Sequence, residues 1–186
     1  MRTVLPAVAF AVAIFATPAA ARTAPPGEGM AAVLARAAAR SGQWVSAARL
    51  WRDVTVARPA DPQAWAALGE ALSRTGQPDD AVAALARAQA LNPSATGLAV
   101  HLGRAQLQRG NGPAAAAAFE TAIAETPKDP ANWTGLGIAR DLMGDHAAAR
   151  EAYARALAID PLNRAARHNE ALSAELAAAA QPGRAP

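Results

Sequence analysis

Residues 62–95 read PQAWAALGEALSRTGQPDDAVAALARAQALNPSA. Trp65, Leu68, Gly69 and Leu72 recur at intervals of three and four, and so do Ala81, Leu85, Ala88 and Leu91. Such spacing places apolar side chains on one face of a helix, so the stretch predicts two helices with Gly76 between them. Glycine suits the left-handed conformation that ends the first helix, and Pro93 stops the second. Moving outward, the same markers return at a fixed interval of 34 residues. Prolines stand at 59, 93, 127 and 161; glycines at 42, 76, 110 and 144; alanines at 47, 81, 115 and 149. The chain is therefore an array of helical hairpins, each too small to bury its apolar face alone. In frame the units are 28–61, 62–95, 96–129 and 130–163.

The registers assign packing roles. Ala35, Gly69, Gly103 and Gly137 leave room for a neighbouring helix, and Leu34, Leu68, Leu102 and Leu136 beside them read as core leucines. Trp51, Leu85, Phe119 and Tyr153 supply one large side chain per unit, each one turn after a small alanine. Trp65 and Trp133 read as packing residues of alternate units. Residues 164–180 predict one more helix with Ala165, Ala171, Leu172 and Leu176 as its apolar stripe, a cap over the last hairpin. The tail 181–186 follows it. The fold class is all-α, a solenoid of about four helix-turn-helix hairpins plus a C-terminal capping helix.

Before the array, residues 1–21 carry Arg2, an apolar stretch from Val4 to Ala16, Pro18 and the small residues Ala19 to Ala21. This is the layout of a secretory signal peptide cleaved near Ala21. The alternative is an uncleaved inner-membrane anchor with a periplasmic array, the one route to membrane association. Residues 22–27 form a short linker. The expected location is the periplasm or outside the cell.

Composition excludes several functions. Without cysteine there is no disulfide, thiolate metal site, cysteine nucleophile or lipid-bearing N-terminal cysteine. The net charge of +3 is scattered with both signs interspersed, which argues against nucleic acid as a partner. His101, His146 and His168 have no ligand spacing, and His146, after Gly144-Asp145, reads as an exposed turn residue. Asp79-Asp80 reads as the acidic first turn of a helix. No metal, cofactor or catalysis is expected.

The set Trp65, Leu68-Gly69, Leu72, Gly76, Ala81, Leu85, Ala88 and Pro93 resembles the tetratricopeptide repeat motif, as does Trp133, Leu136-Gly137, Gly144, Ala149, Tyr153, Ala156 and Pro161. Unit 96–129 matches with Ala99 where the family often has Trp, and unit 28–61 is the loosest. The resemblance covers about 28–163 and implies a concave surface, lined by the first helix of each unit, that binds a protein or peptide. The implied lining is Arg36, Arg40, Glu70, Ser73, Arg74, Arg104, Leu107, Gln108, Thr134, Ile138, Asp141, Arg167 and His168. The arginines suit carboxylates through paired hydrogen bonds. The family's chaperone-tail clamp is absent, because its lysine register holds Ala32, Ala66, Val100 and Thr134.

Two function classes follow: an exported adaptor holding a peptide or subunit in the groove, or a structural subunit using its convex face or an edge. The signal-like start, short array and final Arg164–Leu172 segment are similar to the tight-adherence (Flp) pilus assembly protein D group, although that group's lipid-bearing cysteine is missing. A repeat protein of cytochrome c maturation would share the architecture.

Overall fold

The computed structural model describes residues 29–179. The expected signal peptide, its linker and the tail lie outside the described residues. Within them the chain is all α-helical: α1 (Met30–Arg40), α2 (Trp44–Ala57), α3 (Pro62–Arg74), α4 (Pro78–Leu91), α5 (Leu98–Gln108), α6 (Gly112–Glu125), α7 (Pro130–Leu142), α8 (His146–Ile159) and α9 (Arg164–Ala179). These are four hairpins and a terminal helix, the solenoid that the 34-residue interval predicts.

Local chemistry sets the helix ends. Gly42, Gly76, Gly110 and Gly144 take φ between +72° and +79° at the middle turn of their units. A side chain there would be strained, which is why glycine keeps the interval. Asp61 and Asp129 cap α3 and α7, accepting backbone N–H bonds from Gln63 and Ala64 (3.0 and 3.1 Å) and from Ala131 (2.9 Å). Each is followed by proline at the first helical position, where a missing N–H costs nothing. A cap of this kind contributes about 1 kcal/mol. Asp79 and Asp80 lie in the first turn of α4, as the sequence implies.

Each helix packs on the next along the chain. In addition α3 meets α5, α5 meets α7 and α7 meets α9, while among the described residues no two second helices meet in this way. The first helices are thus drawn together on the inner side of the curve, and the second helices fan apart on the outer side. The large residues Trp51, Leu85, Phe119 and Tyr153 are all buried between the layers. A Cβ at Gly103 would lie 2.9 Å from the Phe119 ring, and one at Gly135 would lie closer still to its edge. Phe119 therefore sits between the first helix of its own unit and that of the next. Trp65 and Trp133 each donate an indole N–H to the carbonyl of the preceding unit's proline, Pro59 or Pro127, at 2.9 Å. At the same register in α9, the Arg167 guanidinium donates to the Pro161 carbonyl.

Three expectations need correction. Leu34 is 50% exposed, although its register mates Leu68 and Leu136 are buried. Among the described residues no second helix precedes α1, so nothing there covers the face that Leu68 and Leu136 present to an earlier hairpin. In α9 the buried residues are Ala166 and Ser173, and the expected stripe of Ala165, Ala171, Leu172 and Leu176 is exposed. Ala166 and Ser173 lie 34 residues after the buried Asn132 and Ala139, so α9 docks as a fifth first helix, by register. His146 is not an exposed turn residue: its side chain is 17% exposed and lies 2.8 Å from Asp141.

Candidate functional site

The inner row of first helices carries two cavities. The first, about 380 Å³, lies between α1, α2 and α3 and is lined by Arg36, Ala39, Arg40, Trp44, Trp51, Gln63, Ala67 and Glu70. The second, about 220 Å³, lies between α5 and α7 and reaches Asn163 and Ala165; Arg104, Leu107, Phe119, Ala131, Thr134, Gly135 and Ile138 complete it. Both are open to solvent.

The first cavity is cationic and aromatic. The Arg36 guanidinium stands 5.9 Å from the centre of the Trp51 ring, and Arg74 stands 4.9 Å from that of Trp44. Stacking of this kind holds the planar guanidinium by its face. Arg74 also pairs with Glu70 at 3.8 Å, on the half-solvated surface where such pairs contribute little. Among the described residues, Arg40 and Arg104 make no ion pair.

The inferred lining residues take three positions. Arg36, Arg40 and Glu70 meet in the first cavity, and Arg104, Leu107, Thr134 and Ile138 meet in the second. Ser73 and Gln108 clasp one another instead. The Ser73 hydroxyl donates to Gln108 Oε1, and Gln108 Nε2 donates to the Ser73 carbonyl, both at 3.1 Å, tying α3 to α5. Thr134 is buried, with its hydroxyl donating to the Pro130 carbonyl at 2.8 Å. Arg167 and His168 are exposed on α9 and line neither cavity. Trp44 and Gln63 line the first cavity and were not expected from the sequence. Trp44 lies at the start of a second helix, outside the register that marks the lining.

Asp141 occupies a different setting. Its Oδ1 accepts from the Ser173 hydroxyl (2.7 Å) and lies 2.8 Å from His146 Nδ1, and its Oδ2 accepts from the Tyr153 hydroxyl (2.8 Å). The four residue types resemble hydrolytic machinery, but the connections do not. Ser173 donates to the carboxylate and, at 3.3 Å, to the His146 carbonyl. It makes no bond to the imidazole and is fully buried, so the serine–histidine contact of a hydrolytic nucleophile is not formed. The cluster binds α7, α8 and α9 together. Burial, then the bond to Asp141, raises the Tyr153 hydroxyl pKa well above the ordinary phenol range. Among the described residues no three His, Cys, Asp or Glu side chains are grouped to hold a metal ion.

His101, on α5, is held below its ordinary pKa of 6.5, chiefly by burial, with Arg104 and Arg74 adding to the effect and Glu70 opposing it. A histidine with a depressed folded-state pKa binds fewer protons folded than unfolded. Stability is then complete above about pH 6.5 and falls as the pH drops from there toward the folded-state value. Thermal melts at pH 7.5 and 5 are expected to show this loss in the wild type and a smaller one in His101→Gln. Equal losses in both would place the effect elsewhere.

A tetratricopeptide repeat family model matches residues 33–96 and 100–164. A crystal structure of MamA superposes with a TM-score of 0.70 at 26% identity, covering 80% of this chain and 81% of that one. A MamA structure from Desulfovibrio magneticus RS-1 gives a TM-score of 0.67 at 21% identity, covering 84% and 96%. A thermophilic tetratricopeptide repeat protein of Thermus thermophilus gives 0.63 at 22%, covering 78% and 80%. No curated protein matches the sequence.

Proposed function

The chain belongs to the tetratricopeptide repeat family, and from that premise we propose that it is a non-enzymatic adaptor that holds an acidic peptide or protein segment on the inner face of its first helices. The observation that carries this reading is the cationic cavity between α1 and α3, lined by Arg36 and Arg40 against the one carboxylate of Glu70, with Arg36 stacked on Trp51.

Export is part of the proposal and rests on residues 1–21; among the described residues no helix is long and apolar enough to cross a membrane. N-terminal sequencing of the protein from a periplasmic fraction is expected to begin near Arg22; an intact Met1 in the membrane fraction would favour an anchor. The narrower assignment to pilus assembly rests on the signal-like start, the short array and the Arg164–Leu172 segment.

Crosslinking in native envelope fractions would identify the partner and the face it touches. Charge reversal at Arg36, Arg74 and Arg104 is expected to weaken binding by an order of magnitude or more, with wild-type binding also falling as salt rises. Unchanged binding in the triple variant would move the contact off the inner face.

A further inference from the structure

Two register positions one helical turn apart on the first helices change character along the array. In successive units they hold Arg36 and Arg40, Glu70 and Arg74, Arg104 and Gln108, then Ile138 and Leu142, and finally Leu172 and Leu176. The last four are exposed by 37%, 50%, 46% and 43%. They form a two-by-two aliphatic patch, because α7 and α9 touch and the pairs lie at the same register. Four guanidiniums to one carboxylate give way, on the same face, to bare hydrocarbon.

From this change we infer that the inner face is a two-part docking surface for one extended segment of a partner, with carboxylates over α1–α5 and aliphatic side chains over α7–α9. The inference rests on the groove reading above and adds the chemistry and spacing of the occupant. Charge complementarity selects the acidic end, since the arginines exceed Glu70 and a cationic segment would be repelled. The patch selects the apolar end, because leucines left in water gain by being covered. The two cavities are separate and lie at different joints between first helices, which favours a segment extended across the helices over a helix laid along one groove. The first cavity lies between α1 and α3, and the patch straddles α7 and α9, three helix spacings away. At about 8–10 Å per spacing the anchors are roughly 24–30 Å apart. An extended chain covers that in about 7–9 residues.

Labelled synthetic peptides test this on the full chain by fluorescence anisotropy. Each carries an Asp-Glu-Asp block and a Leu-Ser-Leu block, in either order, joined directly or by Gly/Ser spacers of 5 or 14 residues. The 5-residue spacer, which sets the block centres eight residues apart, is expected to bind best in one order, about ten-fold or more tighter than the directly joined blocks, which are too short for both anchors to engage. Leu172→Ser/Leu176→Ser is expected to remove that gain and leave a purely acidic peptide unaffected. Arg40→Glu/Arg104→Glu is expected to weaken every acidic peptide. Affinity independent of spacer length, or unchanged in the leucine variant, overturns the two-part surface while leaving the groove reading intact. Binding unaffected by the arginine variant as well overturns both. A concentration-dependent dimer that Leu172→Ser/Leu176→Ser abolishes would assign the patch to a second copy and also overturn the proposal.

Discussion

Phe119→Ala is expected to destabilise the array by about 3–5 kcal/mol, the cost of emptying a fully buried aromatic site. The ring is 1% exposed. It fills the space left by two glycines on different helices, Gly103 in α5 and Gly135 in α7, so neither side can collapse into the void without moving a helix. Its position also makes the loss uneven. One buried cluster spans α1 to α4 and reaches Ala105 on α5. A second is built around Phe119 with Ala115, Leu136 and Ala139. Repeat arrays are stabilised through nearest-neighbour interfaces, so weakening one can separate the unfolding of the two sides. Denaturant unfolding is expected to split into two steps, with Trp133 fluorescence changing before that of Trp44 and Trp51. A single coincident transition at unchanged midpoint would show that Phe119 does not join the halves. Trp44, Trp51 and Trp65 would be replaced by Phe as needed to isolate each signal.

Asp141→Ala is expected to cost about 3 kcal/mol and to release α9. Three side chains from two helices, His146 and Tyr153 of α8 and Ser173 of α9, converge on this carboxylate, and hydrogen bonds to a charged group contribute about 1.5–3 kcal/mol each before the loss is shared. Ser173 is completely buried and would lose its best acceptor. Besides Ser173, α9 buries only Ala166, so few apolar contacts would hold the helix once the bonds are gone. Hydrogen exchange is expected to rise across 164–179 with little change in α1–α4. Asp141→Asn, which keeps one acceptor oxygen, should give an intermediate result. Protection of α9 unchanged in Asp141→Ala would mean that packing alone docks it. Because the aliphatic patch needs both α7 and α9, this variant should also lose the spacer-dependent part of peptide binding.

What could be read from the sequence follows from where the information lies. The hairpins were legible because their constraints repeat: a left-handed turn needs Gly76, and the same need recurs at Gly110 and Gly144. Repetition also misleads at the ends. Leu34 shares a register with buried leucines, but among the described residues it lacks the neighbour that covers them. The apolar stripe of α9 was visible, yet periodicity marks a stripe without saying which side meets the array; the register of Asn132 and Ala139 would have settled it. The same comparison, carried from Ile138 to Leu172 and from Leu142 to Leu176, would have found the aliphatic patch. Trp44 and the Asp141 cluster were not legible. Each depends on side chains meeting across units, such as Ser173 with Asp141, and no local spacing encodes that meeting.

The crowding of the inner row has a mechanical consequence. With α3, α5, α7 and α9 in contact and the second helices apart, the described residues resemble a stack of wedges joined at their thin edges. A ligand side chain driven between α5 and α7 would prise two wedges apart, and the slack on the outer side lets them rotate without breaking the outer layer. Small openings would add along the stack, so occupancy at one joint would change the curvature that the far end presents. The Ser73–Gln108 clasp, which crosses the joint between α3 and α5, is then a stop that limits how far that joint can flex.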